Sequence, residues 1–171
     1  MTRRVHLPLW SLALGAVIWA AVSVALAAEV GQPAPAFTLK DADGHSMSLA
    51  DVRGQVVYVD FWASWCAPCR RSLSWLDSMF DRYAAQGFTV IAVNLDQKRS
   101  DADSFLARLP LKLPLAFDAK GATAKSYALK AMPSSFLVGR DGTIRAVHAG
   151  FLEADTKTRE AEIRKLLASQ N

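Results

Sequence analysis

The chain has 171 residues, 51% of them apolar, with 20 basic against 16 acidic side chains and a formal charge of +4 at pH 7. That length holds one domain of about 100 to 150 residues behind a leading segment, and the apolar share excludes a disordered polymer. The charge is no nucleic-acid footprint, which needs Lys and Arg gathered on one face: without Arg3 and Arg4 the balance is 18 to 16, and the runs Arg70-Arg71 and Arg164-Lys165 are short.

Residues 1–27 read as an export segment. Arg3 and Arg4 precede an apolar run of 22 residues from Leu7 to Ala28, and Ala25-Leu26-Ala27 offers small residues for cleavage after Ala27. The run is also long enough to span the hydrocarbon of a membrane, so residues 7–28 are either a signal peptide or a retained anchor. In both cases the basic end stays in the cytoplasm and the domain, residues 28–171, works in the periplasm or another extracytoplasmic space, free or anchored to the inner membrane.

Gly31 to Pro35 is a connector, and Phe37-Thr38-Leu39 and Met47-Ser48-Leu49 flank an Asp43-Gly44 turn, predicting a small hairpin ahead of the main fold. Gln55 to Trp62 is a nearly unbroken β-branched and aromatic run, a strand buried on both faces, with Asp60 its one charged member. Leu73, Leu76, Phe80 and Tyr83 mark one stripe of a helix from Ala67 to about Gln86, closed by Gly87. Phe88 to Leu95 is a second buried strand. Ser100 with Asp103 predicts a capping box opening a helix that Pro110 stops. A short strand at Leu115–Phe117, a helix from Ala122 to Leu129, a hairpin of Ser135–Val138 with Thr143–His148, and a last helix from near Thr156 to Ser169 burying Ile163, Leu166 and Leu167 complete the chain. The order implies an α/β fold with a mixed central sheet and helices on both faces.

The chemistry concentrates at Cys66-Ala67-Pro68-Cys69, where a buried strand ends and a helix begins. A disulfide stabilises chiefly by closing a long loop; this one closes almost none, so a purely structural role is weak. At the helix start, unpaired N–H groups and the positive end of the dipole favour a thiolate, lowering the Cys66 pKa below the ordinary value of about 8.5. Cys66 is then the nucleophile and Cys69, one turn inward, the resolving thiol; Pro68 suits a helix start. Half of a zinc site is the competing reading, but no further Cys exists and His45 and His148 stand alone, so no metal is assigned.

The stretch Val59-Asp60-Phe61-Trp62-Ala63-Ser64-Trp65-Cys66-Ala67-Pro68-Cys69-Arg70 resembles the active-site segment of thioredoxins. With Phe37-Thr38-Leu39 and Leu49–Gly54 upstream and Met132-Pro133-Ser134-Ser135-Phe136-Leu137-Val138 downstream, residues 30–167 resemble the TlpA-like extracytoplasmic thiol-disulfide oxidoreductases. The resemblance implies a thioredoxin fold with the extra N-terminal hairpin and a redox-active disulfide Cys66–Cys69 with no other cofactor. It implies a cis bond before Pro133 that frees the Met132 backbone for substrate, and a buried Asp60 that accepts a proton during resolution, where the residue type alone also allows a strand-end Asp touching water. Trp62 would pack under the site and Trp65 would sit on its rim beside Ala67 and Pro68, the alternative being that both are core. Three departures stand out: Ser72 replaces the Glu common three residues after the second cysteine, Ser74 replaces a common Pro, and Ile91-Ala92-Val93-Asn94 lacks the Lys that thioredoxins place near the buried Asp, so Asp60 is expected to titrate differently. The first weakens a dedicated role in cytochrome c maturation, and the second predicts a straighter helix.

Ala67-Pro68 adds no cation to stabilise the thiolate, which favours a reductase over an oxidant, although Arg70 and Arg71 add some positive field. The partners implied are disulfide-bearing exported clients and a membrane electron donor. Alternatives are a copper-handling thiol protein, a non-catalytic binding module, and a peroxidase, the last opposed by Ala63 where a Thr would be needed three residues before the cysteine.

Overall fold

A computed structural model describes residues 28–169; the proposed signal or anchor over residues 1–27 lies outside them. In chain order the elements are β1 (Thr38–Asp41), β2 (Ser46–Ser48), β3 (Val56–Trp62), α1 (Ala67–Tyr83), β4 (Phe88–Asn94), α2 (Arg99–Leu106), β5 (Leu115–Phe117), α3 (Ala122–Ser126), β6 (Ser134–Val138), β7 (Ile144–Ala149) and α4 (Thr156–Ala168). All seven strands join one mixed sheet in the order β2-β1-β5-β4-β3-β6-β7. Strand β3 runs parallel to β4, β4 parallel to β5, and β6 lies antiparallel to β3 on its other side. The amino-terminal hairpin does not stand apart from the fold: β1 pairs antiparallel with β5 and carries the sheet two strands further.

Every residue of β3 and β4 is buried, because both faces of the sheet are covered and side chains alternate between them. Val57, Val59 and Phe61 join a core with Phe37, Ile91, Val93, Tyr127, Phe136 and Ile144. Val56, Tyr58 and Trp62 join the opposite core with Cys66, Cys69, Leu73, Leu76, Phe105 and Ile163. The helices divide unevenly. α1, α2 and α4 all send side chains to the Trp62 side, while α3 and the turn at Leu49–Val52 cover the other. The C-terminal end of α1 is fastened to α4 by Glu160, whose Oε1 accepts from Arg82 Nη1 and Tyr83 Oη, each at 2.6 Å.

Three sequence expectations shift. The capping box falls at Ser48 and Asp51 rather than at Ser100 and Asp103: α2 begins at Arg99, so Ser100 lies inside the first turn and Asp103 bonds Arg99 Nε at 2.7 Å. Helix α3 ends at Ser126, and Ala128 takes a positive φ of 50° that no helix continues. On α4, Leu166 and Leu167 are only partly buried, and the second side chain sealed beside Ile163 is Arg159. Among the described residues no helix is long and apolar enough to cross a membrane.

Because Ile163 is fully buried between α4 and the sheet, Ile163→Ala should cost roughly 2–4 kcal/mol. Leu166→Ala, on a partly exposed position, should cost clearly less. Urea unfolding of the two variants checks the ranking, and equal losses would mean that α4 docks on a different face.

Candidate active site

The chain leaves the sheet at Trp62, turns through Ala63-Ser64-Trp65, and enters α1 with Cys66 as its N-cap and Pro68 in the first turn. Two backbone bonds shape this corner, Cys66 N to Ala63 O and Cys69 N to Cys66 O, both 3.1 Å. A third anchor comes from β4. Asp96, nearly buried, accepts from Ser64 N at 2.9 Å and Ser64 Oγ at 3.0 Å, and is itself held by Asn94 Nδ2 at 2.8 Å. The turn carrying the first cysteine is thereby pinned to the neighbouring strand.

Cys66 and Cys69 are joined in a disulfide with Cα atoms 5.3 Å apart. Cys66 keeps 5% of its surface and Cys69 none, as an N-cap residue and a residue one turn deeper would. Trp62 is sealed beneath the pair with its ring 5.2 Å from Phe105, whereas Trp65 is 71% exposed. Of the two cations after the pair, Arg70 lies over the Phe105 ring at 5.0 Å and Arg71 reaches Glu153 at 3.8 Å.

Asp60 is fully buried on the same side of the sheet as the cysteines. Its Oδ1 accepts from Ser135 Oγ at 2.6 Å, directly across the β3–β6 ladder, and from Ser72 Oγ at 3.3 Å. Ser72 follows Cys69 by three residues, so both sit on the inward face of α1, and the hydroxyl ties the carboxyl to the part of the helix that carries the second cysteine. Burial pushes the Asp60 carboxyl up to about 7, with Ser135, Ser72 and Arg159 offsetting part of that rise. Ser72, read from sequence as the loss of an acidic feature, is thus a partner of the buried acid; its position on the stripe of Cys69, Leu73 and Leu76 was the available signal.

The Met132–Pro133 peptide bond is cis. Pro133 is buried, Met132 packs against the core that contains both cysteines, and Pro133 O accepts from Gly150 N at 2.7 Å. Neither lone histidine is alone. His148 Nε2 bonds Glu162 at 2.9 Å, and His45 forms with Asp41 and Asp43 a group in the β1–β2 turn that includes neither cysteine.

Against this geometry, a family model described as the AhpC/TSA family matches residues 30–147. A thiol-disulfide oxidoreductase ResA of Geobacillus thermodenitrificans is 32% identical over 149 residues, 86% of each chain. That of Geobacillus kaustophilus is 30% identical over 136 residues, 80% of this chain and 78% of the other. A crystal structure from Chlorobium tepidum, described as a thiol:disulfide interchange protein DsbE, superposes with a TM-score of 0.80 at 46% identity, over 82% of this chain and 99% of that one.

A carboxyl near 4 in the unfolded chain and near 7 in the folded one binds its proton more tightly when folded. Its contribution to stability is therefore full below about pH 4 and is lost as the pH rises through 7. Asp60→Asn in the oxidised protein should leave stability near pH 4 little changed and raise it near pH 8, by on the order of a few kcal/mol. Urea titrations at the two pH values measure the difference, and an equal effect at both would show that the carboxyl does not ionise in that window.

Proposed function

We propose a direction and a compartment for this chain, which belongs to the AhpC/TSA family of the thioredoxin superfamily and is a thiol-disulfide oxidoreductase: it reduces disulfides of exported clients outside the cytoplasm. In the reduced protein the Cys66 thiolate, favoured by the free N–H groups at the start of α1, attacks a client disulfide and expels one client thiolate. A mixed disulfide joins Cys66 to the other client sulfur. The Cys69 thiol then gives its proton to Asp60, its sulfur attacks Cys66, and the second client thiolate leaves. Two electrons have passed to the client and the protein holds the Cys66–Cys69 disulfide. No cofactor besides that disulfide takes part, and a membrane electron donor restores the dithiol.

The remaining roles follow from place. Met132, ahead of the cis bond, offers its backbone to an extended client segment, and exposed Trp65 with Ala67 and Pro68 forms the rim around Cys66. The observation that carries the direction is the fate of the nearby cations: Ala67-Pro68 contributes none, Arg70 lies on Phe105 and Arg71 reaches Glu153. A thiolate with little added positive charge is a weaker sink for electrons, which favours reduction of clients. Export rests on Arg3, Arg4 and the apolar run that follows them.

Cys69→Ser, expressed in the native host, should trap exported proteins on Cys66 through disulfides that a Cys66→Ser, Cys69→Ser control does not form. Equilibration of the purified domain with a redox buffer should give a potential nearer −270 mV than about −120 mV. Trapping no greater than the control would overturn the exchange mechanism, and a potential at the upper value would reverse the direction.

A further inference from the structure

Arg159, the fourth residue of α4 and one turn before Ile163, is the charged side chain that the helix turns inward, 4% exposed. Its Nη2 donates to Gly150 O at 2.9 Å, and Gly150 N donates to Pro133 O at 2.7 Å. The guanidinium carbon lies 5.3 Å from the Phe151 ring centroid, and half-exposed Asp155 places its Oδ2 3.8 Å from Nη2. Buried Nη1 has no hydrogen-bond partner among the described residues, nor do buried Tyr58 Oη and Asp60 Oδ2.

These groups share one face. Tyr58 and Asp60 are two apart on β3; Ser135 lies opposite Asp60, and His148 lies opposite Ser135 on β7. The His148 ring stacks on Tyr58 at 6.3 Å and its Nε2 meets Glu162 at 2.9 Å. The titratable and charged groups of this layer are Tyr58 and Asp60 from β3, His148 from β7 with its partner Glu162 on α4, Arg159 from α4 with Asp155 beside it, and Cys66 and Cys69 of α1 once reduced. Arg159 reaches this layer through Phe151, whose ring lies 6.0 Å from that of Trp75, itself 5.9 Å from the Tyr58 ring, and its charge favours the ionised forms of Asp60 and Tyr58. A guanidinium sealed from water needs an opposite charge close by, and one backbone carbonyl with a half-exposed carboxylate is thin compensation. An ionised Asp60 in the same buried layer supplies it.

We propose that Arg159 is a positioning residue for thiol-disulfide exchange: from α4 it brings a buried positive charge to the layer that holds Asp60 and, through Gly150, holds the carbonyl of Pro133. It supplies from α4 the positive charge that β4 lacks. This rests on the reading of Asp60 as the proton acceptor, and the experiment separates the two. The reduced full chain is mixed with glutathione disulfide, and expulsion of glutathione from Cys66 by Cys69 is followed by acid quench and mass spectrometry between about pH 5 and 9. The wild type should show an acid limb that Asp60→Asn removes. Arg159→Met should move the midpoint of that limb upward by roughly half a pH unit or more, about a threefold slower step on the acid side, and Arg159→Lys should restore most of it. Arg159→Gln, which keeps a donor for Gly150, replaces the Met variant if that variant does not fold. A folded Met or Gln variant with the wild-type midpoint overturns the role of Arg159 and leaves Asp60 standing. A limb absent from the wild type, or unchanged in Asp60→Asn, overturns the reading of Asp60 and the inference with it.

Discussion

The site is organised around a carboxyl group placed where water cannot reach it. Asp60 occupies the second-last rung of the β3–β6 ladder, in a strand whose other residues are apolar or aromatic and sealed on both faces. Such a group is tolerated only where hydrogen bonds and opposite charge meet it. Three elements contribute: Ser135 from β6, Ser72 from α1 and Arg159 from α4. The same elements carry the cis bond at Pro133, the second cysteine and the clasp on Gly150. Satisfying the acid and assembling the site are therefore one packing problem.

The order of elements was legible in the sequence because each strand or helix has a strong local signal. The β-branched run of β3, the three-and-four spacing along α1 and the Cys-X-X-Cys corner are all contained in short windows. What escaped depends on distant partners. Ser72 looked like an omission because its value lies in Asp60, twelve residues earlier and on another element. Arg159 carries no local signal that distinguishes it from Arg164, yet the turn at Gly150 and Phe151 folds over it. Ser100 with Asp103 satisfies the spacing of a capping box, but the helix begins two residues earlier than that box requires, at Arg99, and Arg99 takes the carboxylate.

The corner that presents Cys66 is rigid for a reason separate from the disulfide. Asp96, two residues past β4 and held by Asn94, bonds Ser64, so the turn is tied to the sheet by groups that take no part in the sulfur chemistry. At the other end of α1, Arg82 and Tyr83 are fastened to Glu160 on α4. A helix fixed at both ends can exchange a covalent bond at its first turn without losing its seat on the sheet.

The amino-terminal hairpin bears on solubility. Without β1, the outer side of β5 would present unpaired N–H and C=O groups beside the buried parallel strands, an invitation to another chain. With it, that margin ends in β2, three residues long and partly or fully exposed. The open margin of backbone thereby lies on a strand turned toward water and set two strands away from the buried parallel core, rather than directly beside it.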